Sequence, residues 1–226
     1  MTAVKAVLLD ALGTLVRLEP PAPRLREQLS RLAGIEVDEE TAARGFAAEI
    51  TYYLANHLEG GDPAGLERLR SRCAREMARA MDLDERLEPD LARRVMLESL
   101  EFSPYPDVVP ALSELRGRGL RLVAVSNWDC SLPWWLERAG LGELLDGAVS
   151  SAVIGVAKPA EVVFNEGLRV AGVRPEQALH VGDSIEADVK GAQAAGIRAL
   201  LLVREGEPPA GVHAIRSLAE LPPSLT

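Results

Sequence analysis

Residues 4–15 read VKAVLLDALGTL, and the strand that they predict indicates the fold class. An apolar run, interrupted only by Lys5, ends at Asp10, and Gly13 and Thr14 follow shortly after. A short run that is apolar at successive positions is typical of a strand buried on both faces, as in a parallel sheet. Residues 4–9 are therefore predicted to form a central strand, with a tight loop that carries Asp10 at its end.

From residue 104 onward, helical and strand-like segments alternate. The predicted strands are 120–125, 147–150, 178–181 and 198–203, and the predicted helices are 108–116, 132–139, 161–171 and 185–195. Such alternation indicates parallel strands joined by right-handed crossovers. The expected fold class is α/β, a doubly wound, Rossmann-like parallel sheet. The tail contains Pro208-Pro209 and Pro222-Pro223. Its secondary structure is only weakly determined by the pattern, and we expect it at an edge of the sheet.

The intervening chain has a different pattern. Four segments with helical spacing, 25–32, 39–57, 66–81 and 91–100, are separated by glycine- and proline-containing breaks, with no strand pattern between residues 20 and 100. This predicts an inserted all-helical domain over residues 16–103. The core domain then comprises residues 1–15 and 104–226.

Composition narrows the functional class. A chain of 226 residues can bury one core together with a modest insert. A net charge of −9 argues against a general nucleic-acid surface, and no run approaches the ~20 apolar residues of a membrane span. Cys73 and Cys130 match no metal or redox spacing, which fits a reducing compartment. We expect a cytoplasmic monomer or homodimer that binds neither nucleic acid nor membrane.

Polar residues follow the predicted strands at the points where those strands end. Because the carboxyl ends of parallel strands meet at one edge of a sheet, we expect these side chains to face a common ligand site. Carboxylates suit Mg²⁺, and an ammonium and a hydroxyl beside a carboxylate nucleophile suit attack on a group that bears negative oxygens. The residues concerned are Asp10, Ser126, Asn127, Lys158, Asp183 and Asp188.

Four segments carry a family resemblance. Residues 8–15 (LLDALGTL), 123–127 (VAVSN), 158–159 (KP) and 181–188 (VGDSIEAD) resemble, in order and spacing, the four motifs of the haloacid dehalogenase superfamily, a group dominated by phosphatases. The resemblance covers the whole chain, and the helical insert resembles the cap domain of that family.

The resemblance implies a role for each of these positions. Asp10 would be the nucleophile, and Lys158 would steady the charged intermediate. Ser126, Asn127 and Lys158 would hold the substrate. Mg²⁺ would be bound by Asp10, the backbone carbonyl of Leu12, Asp183 and Asp188, the last as a ligand or as a support. The substrate would be a small phosphorylated molecule.

Leu12 departs from the phosphatase pattern. Phosphatases of the family carry a second aspartate at this position, which protonates the leaving group and then activates water. Leucine moves no proton, and general acid–base help is worth about 10²–10⁴ in rate. We therefore expect slow or narrow phosphatase activity that favours good leaving groups such as aryl or acyl phosphates.

The sequence is compatible with three alternatives. A 2-haloacid dehalogenase needs no acid, and Asp10-Ala11-Leu12 partly resembles the dehalogenase motif, but the metal-type fourth motif counts against it. A nearly inactive descendant that binds a phosphorylated ligand is the second. The third is a phospho-accepting switch domain, which uses a similar strand-end aspartate but has no large helical insert.

Several other residues have two interpretations. Tyr52, Tyr53 and His57 either pack within the insert or contact substrate. Trp134 and Trp135 either form part of the core or of an interface, or provide a platform for substrate. Asp129 is a candidate for a displaced general acid. His180 is predicted to be structural.

Overall fold

The computed structural model describes residues 3–221. The described residues form eight strands, β1 (Ala6–Leu9), β2 (Val16–Leu18), β3 (Phe102–Pro104), β4 (Arg121–Ser126), β5 (Gly147–Ser150), β6 (Ala178–Gly182), β7 (Arg198–Leu202) and β8 (Ala214–Ile215). Six of these strands make a parallel sheet in the order β5-β4-β1-β6-β7-β8, and β2 pairs with β3. The predicted α/β fold is confirmed.

Helices surround this sheet and fill the insert. The described α-helices are α1 (Pro21–Gln28), α2 (Glu39–Asn56), α3 (Pro63–Ala80), α4 (Pro89–Ser99), α5 (Val108–Gly117), α6 (Leu132–Arg138), α7 (Ser151–Ile154), α8 (Glu161–Ala171) and α9 (Gly191–Ala194). Among residues 3–221, no helix has the length and apolar character needed to cross a bilayer.

The first strand lies at the point where the strand order reverses. Leu9 in β1 lies opposite Ala124 of β4 on one side and Val181 of β6 on the other. All four residues of β1 are buried, as a run that is apolar at every position predicts. Ligands of open parallel sheets bind beyond the carboxyl ends of strands at such a reversal. The fold therefore places Asp10 where a ligand is expected.

The chain divides into two compact units. One is Leu18–Phe102, and the other comprises the described residues on either side of it. The first contains α1 to α4 around an apolar cluster that includes Leu69, Met77 and Val95. In the second, a cluster on one face of the sheet joins Leu8 to Phe164 of α8.

Some short elements were not predicted from the sequence. β2 and β3 lie at the two ends of the helical unit, and β8 lies in the weakly determined tail. Strands of two or three residues are too short to show a period of two, which explains why the pattern missed them. The predicted helix 185–195 is a π-helical turn, Ile185–Lys190, followed by α9. Pro222-Pro223 lies outside the described residues.

The helical unit buries one carboxylate. Ala42, Gly45 and Glu49 form the buried stripe of α2, and Glu49 is 4% exposed. Its carboxylate accepts a hydrogen bond from the thiol of Cys73 in α3. Burial raises the pKa of Glu49 to about 7, and the Cys73 bond offsets this only in part.

We expect Glu49→Gln to stabilise the protein at pH 8. In the unfolded chain Glu49 ionises near pH 4.5, whereas in the folded protein it ionises near 7. The folded state therefore binds the extra proton between these values, and wild-type stability falls as the pH rises through them. The shift corresponds to about 3 kcal/mol at pH 8, decreasing to below about 1 kcal/mol at pH 5. Urea unfolding followed by circular dichroism at both pH values measures this difference.

Glu85→Gln is the matched control, because Glu85 is exposed in the same unit. It should change the free energy of unfolding little at either pH. An equal gain for Glu49→Gln at pH 5 and pH 8 would show that ionisation of Glu49 does not destabilise the fold.

Candidate active site

The carboxyl ends of β1, β4 and β6 bring together the side chains predicted from the sequence. Asp10 follows β1, Ser126 ends β4, and Asp183 follows β6. Asp10 and Ser126 are buried, and the Ser126 hydroxyl donates a hydrogen bond to Oδ1 of Asp10 at 2.9 Å. Burial raises the pKa of Asp10, and Lys158 opposes that rise.

Lys158 joins two of the carboxylates. Its Nζ donates to Oδ1 of Asp10 at 2.6 Å, to Oδ1 of Asp188 at 2.6 Å and to the carbonyl of Val125 at 2.9 Å. These three acceptors use all three ammonium protons. Burial alone would lower the pKa of Lys158, but the charges of Asp10 and Asp188 outweigh burial and raise it. Lys158 is therefore a buried, fully bonded cation.

Asn127 holds the backbone of Lys158. Its Oδ1 accepts from the Lys158 backbone N–H at 2.7 Å, and its Nδ2 donates to the Lys158 carbonyl at 3.2 Å. This reciprocal pair places the Lys158 side chain beside Asp10. The observed contact is a positioning one, and contact of Asn127 with a substrate stays a prediction.

Asp188 is held by three donors. Oδ1 accepts from Lys158 and from Nε2 of His180 at 2.9 Å, and Oδ2 accepts from the Ser184 backbone N–H at 3.0 Å. Although burial opposes it, Lys158 and His180 lower the pKa of Asp188. A Cβ at Gly182 would lie 2.2 Å from Cγ of Asp188, so the glycine makes room for the carboxylate.

The contact between His180 and the site is not evident from the sequence. His180 is fully buried in β6, and the Phe164 ring meets it edge-on at 5.1 Å. The available signal was a single imidazole in an otherwise apolar strand, two residues before Gly182. Its bond to Asp188 links this core residue to the carboxylate cluster.

The carboxylate cluster can hold a metal ion. One oxygen from each of Asp10, Asp183 and Asp188 lies within 4.8 Å of the other two. Asp183 is exposed at the rim, yet partial desolvation, followed by the charges of Asp10 and Asp188, raises its pKa to about 6. Three carboxylates face one ammonium, and hard oxygen donors in excess of cationic charge suit Mg²⁺.

The loop after Asp10 passes close to Asp183. Gly13 has φ +83°, and a Cβ there would lie 2.1 Å from Oδ2 of Asp183. Both the left-handed backbone and the close approach require glycine. Leu12, the residue before it, is 39% exposed, and its side chain offers no polar atom to the site.

Three further residues singled out from the sequence belong to the helical unit. Tyr52 and Tyr53 pack against the core of the helical unit. His57 places Nδ1 3.1 Å from the carbonyl of Leu54. Contact of these three with substrate stays a prediction.

The tryptophans and Asp129 follow β4. Trp134 is 53% exposed, whereas Trp135 is buried, with their ring centroids 4.6 Å apart. Asp129 is buried, and its Oδ1 accepts from the Ser131 backbone N–H at 2.7 Å. This hydrogen bond stabilises the turn before α6, which is a structural role for Asp129. Its role as a displaced acid stays a hypothesis.

Comparison with known proteins agrees with this geometry. The sequence profile of the haloacid dehalogenase-like hydrolases matches residues 4–196. The chain belongs to this family. This haloacid dehalogenase-like hydrolase is 34% identical over 209 residues to glyceraldehyde 3-phosphate phosphatase of Methanopyrus kandleri, covering 86% of this chain and 82% of that protein. It is 31% identical to phosphoserine phosphatase of Thermus thermophilus, covering 89% of each.

A solved structure gives the same fold. The crystal structure of a 2-haloacid dehalogenase from Pseudomonas syringae pv. Tomato DC3000 matches this hydrolase with a TM-score of 0.67 over 98% of each chain. The two sequences are 24% identical, so this likeness concerns the fold alone.

Proposed function

We propose that this hydrolase is a Mg²⁺-dependent phosphatase that acts on a small phosphorylated molecule through an aspartyl-phosphate on Asp10. One observation carries the proposal: the Asp10 carboxylate is held by Ser126 and Lys158 and lies beside two further carboxylates. The relatives with 31% and 34% identity are both named phosphatases of small phosphorylated molecules, which supports the same substrate class.

One carboxylate oxygen of Asp10 accepts no hydrogen bond from the described residues. Both of its side-chain hydrogen bonds from the described residues reach Oδ1, so Oδ2 is the oxygen open for ligation or attack. In the first step a bond forms between an Asp10 oxygen and phosphorus while the bond to the leaving oxygen breaks. In the second step water attacks phosphorus, Asp10 is released, and a proton passes to solvent.

Mg²⁺ would be held by Asp10, Asp183 and the Leu12 carbonyl, and when bound it would neutralise the negative charge of the phosphoryl oxygens. Asp188 fits better as a support, because its two oxygens already accept three hydrogen bonds. Lys158 would balance the charge of Asp10 in both steps.

Leu12 limits the choice of substrate in this proposal. No side chain at that position protonates the leaving oxygen, so the leaving group must depart as an anion or take its proton from water. Aryl and acyl phosphates meet this requirement better than alkyl phosphates.

The helical unit is proposed to serve as the cap domain of the family, with specificity contributed by its side chains. The cytoplasmic location and the choice between monomer and homodimer stay predictions.

A substrate panel tests the proposed function. The panel contains p-nitrophenyl phosphate, acetyl phosphate, glyceraldehyde 3-phosphate, phosphoserine and a sugar phosphate, each with Mg²⁺ and with a chelator. We expect phosphate release from the aryl and acyl phosphates in Mg²⁺, at rates well above that of the sugar phosphate, and none in chelator.

A parallel incubation with 2-chloropropionate tests the dehalogenase alternative, and no chloride release is expected. Chloride release without metal would replace the phosphatase proposal with the dehalogenase. Binding of phosphorylated ligands without turnover of any of them would instead support the inactive descendant.

A further inference from the structure

Arg204, which lies outside the four motifs, holds the loop that follows Asp10. Arg204 lies two residues beyond β7 and 191 residues from Gly13 in sequence. Its Nε donates to the Gly13 carbonyl at 3.1 Å, and its Nη2 donates to the Thr14 carbonyl at 2.6 Å. Arg204 therefore binds two successive backbone carbonyls of the loop.

Asp107 and Tyr105 fix the Arg204 guanidinium from outside the loop. Nη1 donates to Oδ1 of Asp107 at 3.0 Å, and the Tyr105 ring lies 3.6 Å from Cζ. Oδ2 of Asp107 in turn accepts from the Ser217 hydroxyl and the Leu218 backbone N–H, each at 2.8 Å. The Arg204 side chain is 14% exposed. A planar guanidinium with several donors in a fixed arrangement suits this task, and a lysine ammonium does not.

Gly13, one of the two residues that Arg204 binds, borders the proposed metal site. The Gly13 backbone N–H donates to the Val16 carbonyl at 2.8 Å. In a trans peptide the preceding carbonyl points opposite to the N–H, so the Leu12 carbonyl is directed away from Val16. On its other side Gly13 lies against Asp183. The Leu12 carbonyl therefore lies one peptide before the carbonyls that Arg204 binds.

We propose that Arg204 is a positioning residue. By binding the carbonyls of Gly13 and Thr14 it fixes the loop from Asp10 to Thr14, and it thereby sets Mg²⁺ affinity and turnover. The effect on turnover rests on the proposed function. The effect on Mg²⁺ affinity is a separate readout that needs no substrate.

Arg204→Met and Arg204→Lys test this role. Mg²⁺ affinity is measured by isothermal titration calorimetry, and kcat and KM are measured with p-nitrophenyl phosphate. Loss of the support of a metal ligand typically costs about 10–100-fold in affinity or activity. We expect both variants to weaken Mg²⁺ binding and lower kcat by about this factor, with KM little changed. Lysine should not rescue, because one ammonium cannot reproduce three donors in a plane.

Arg216→Met is the matched control. Arg216 also donates to a backbone carbonyl, that of Gly206 at 3.0 Å, and to a carboxylate, that of Glu207 at 3.3 Å, but it does not contact the loop. It should keep wild-type Mg²⁺ affinity and kcat. Circular dichroism and thermal melting establish that each variant folds. If Arg204→Met does not fold, Arg204→Lys, which keeps the charge facing Asp107, tests the positioning role by itself.

Each outcome decides the proposal. Wild-type Mg²⁺ affinity in Arg204→Lys would reduce Arg204 to a charge partner of Asp107 and overturn the positioning role. A lower melting temperature with unchanged affinity would do the same. If the wild type binds Mg²⁺ but cleaves no phosphoester, the proposed function fails while the affinities still test Arg204. If the wild type binds no Mg²⁺, the positioning role falls together with the metal site.

Discussion

Asp10→Asn is expected to lower hydrolysis of p-nitrophenyl phosphate by at least about 10⁴-fold, as loss of a nucleophile does in other covalent mechanisms. An amide oxygen is a poor nucleophile, yet it can still accept the hydrogen bonds that Ser126 and Lys158 donate to Oδ1. Lys158 also keeps its contact with Asp188. The variant should therefore fold as the wild type does, and steady-state assays at saturating Mg²⁺ would isolate the chemical defect.

Asp146→Asn provides the control for this substitution. Asp146 also lies in the sheet unit and is largely buried, but it precedes β5 at the opposite end of the strands, where its Oδ2 accepts from the Leu122 backbone N–H at 2.7 Å. Its replacement should cost stability and leave turnover per folded molecule unchanged. Near-normal turnover by Asp10→Asn would mean that another group attacks phosphorus.

Leu12→Asp is expected to raise turnover of alkyl phosphates by about 10²–10⁴, the range that general acid–base catalysis provides. The position is 39% exposed, so a carboxyl group there loses little hydration. Neighbouring carboxylates disfavour its ionisation, which helps it to keep the proton that the leaving oxygen needs. The gain should be smaller for p-nitrophenyl phosphate, whose leaving group departs readily as an anion.

Leu12→Asn separates proton transfer from the effect of a polar side chain, because asparagine has nearly the same shape but no acidic proton. Mg²⁺ affinity must be measured for both variants, since an added negative charge can also alter metal binding. Equal rates for the two variants, with Mg²⁺ bound in each, would show that the missing acid does not limit the enzyme.

The contribution of Lys158 could be assigned only in part from the sequence. Its position before Pro159 in the third motif indicated a charge beside Asp10. The structure adds that Lys158 binds Asp188 at the same distance and that Asn127 holds its backbone. Asn127 lies 31 residues earlier in the chain, so nothing in the local pattern reveals that the two residues pair.

The α/β class, the helical insert and the carboxylates at the ends of β1 and β6 can all be predicted from the sequence alone. These features depend on the spacing of neighbouring residues, because the periods of strands and helices repeat within a few positions. Four ordered motifs then indicated the family and the nucleophile.

Three features are visible only in the folded chain: Arg204 holds the Asp10 loop, His180 supports Asp188, and Glu49 is the buried carboxylate of the helical unit. Arg204 and Gly13 are separated by 191 residues, and their contact exists because β7 and β1 lie in one sheet. Glu49 is buried in the packed helical unit, where its carboxylate meets Cys73 of α3. Such contacts depend on which elements meet in space, and local sequence patterns carry no record of that.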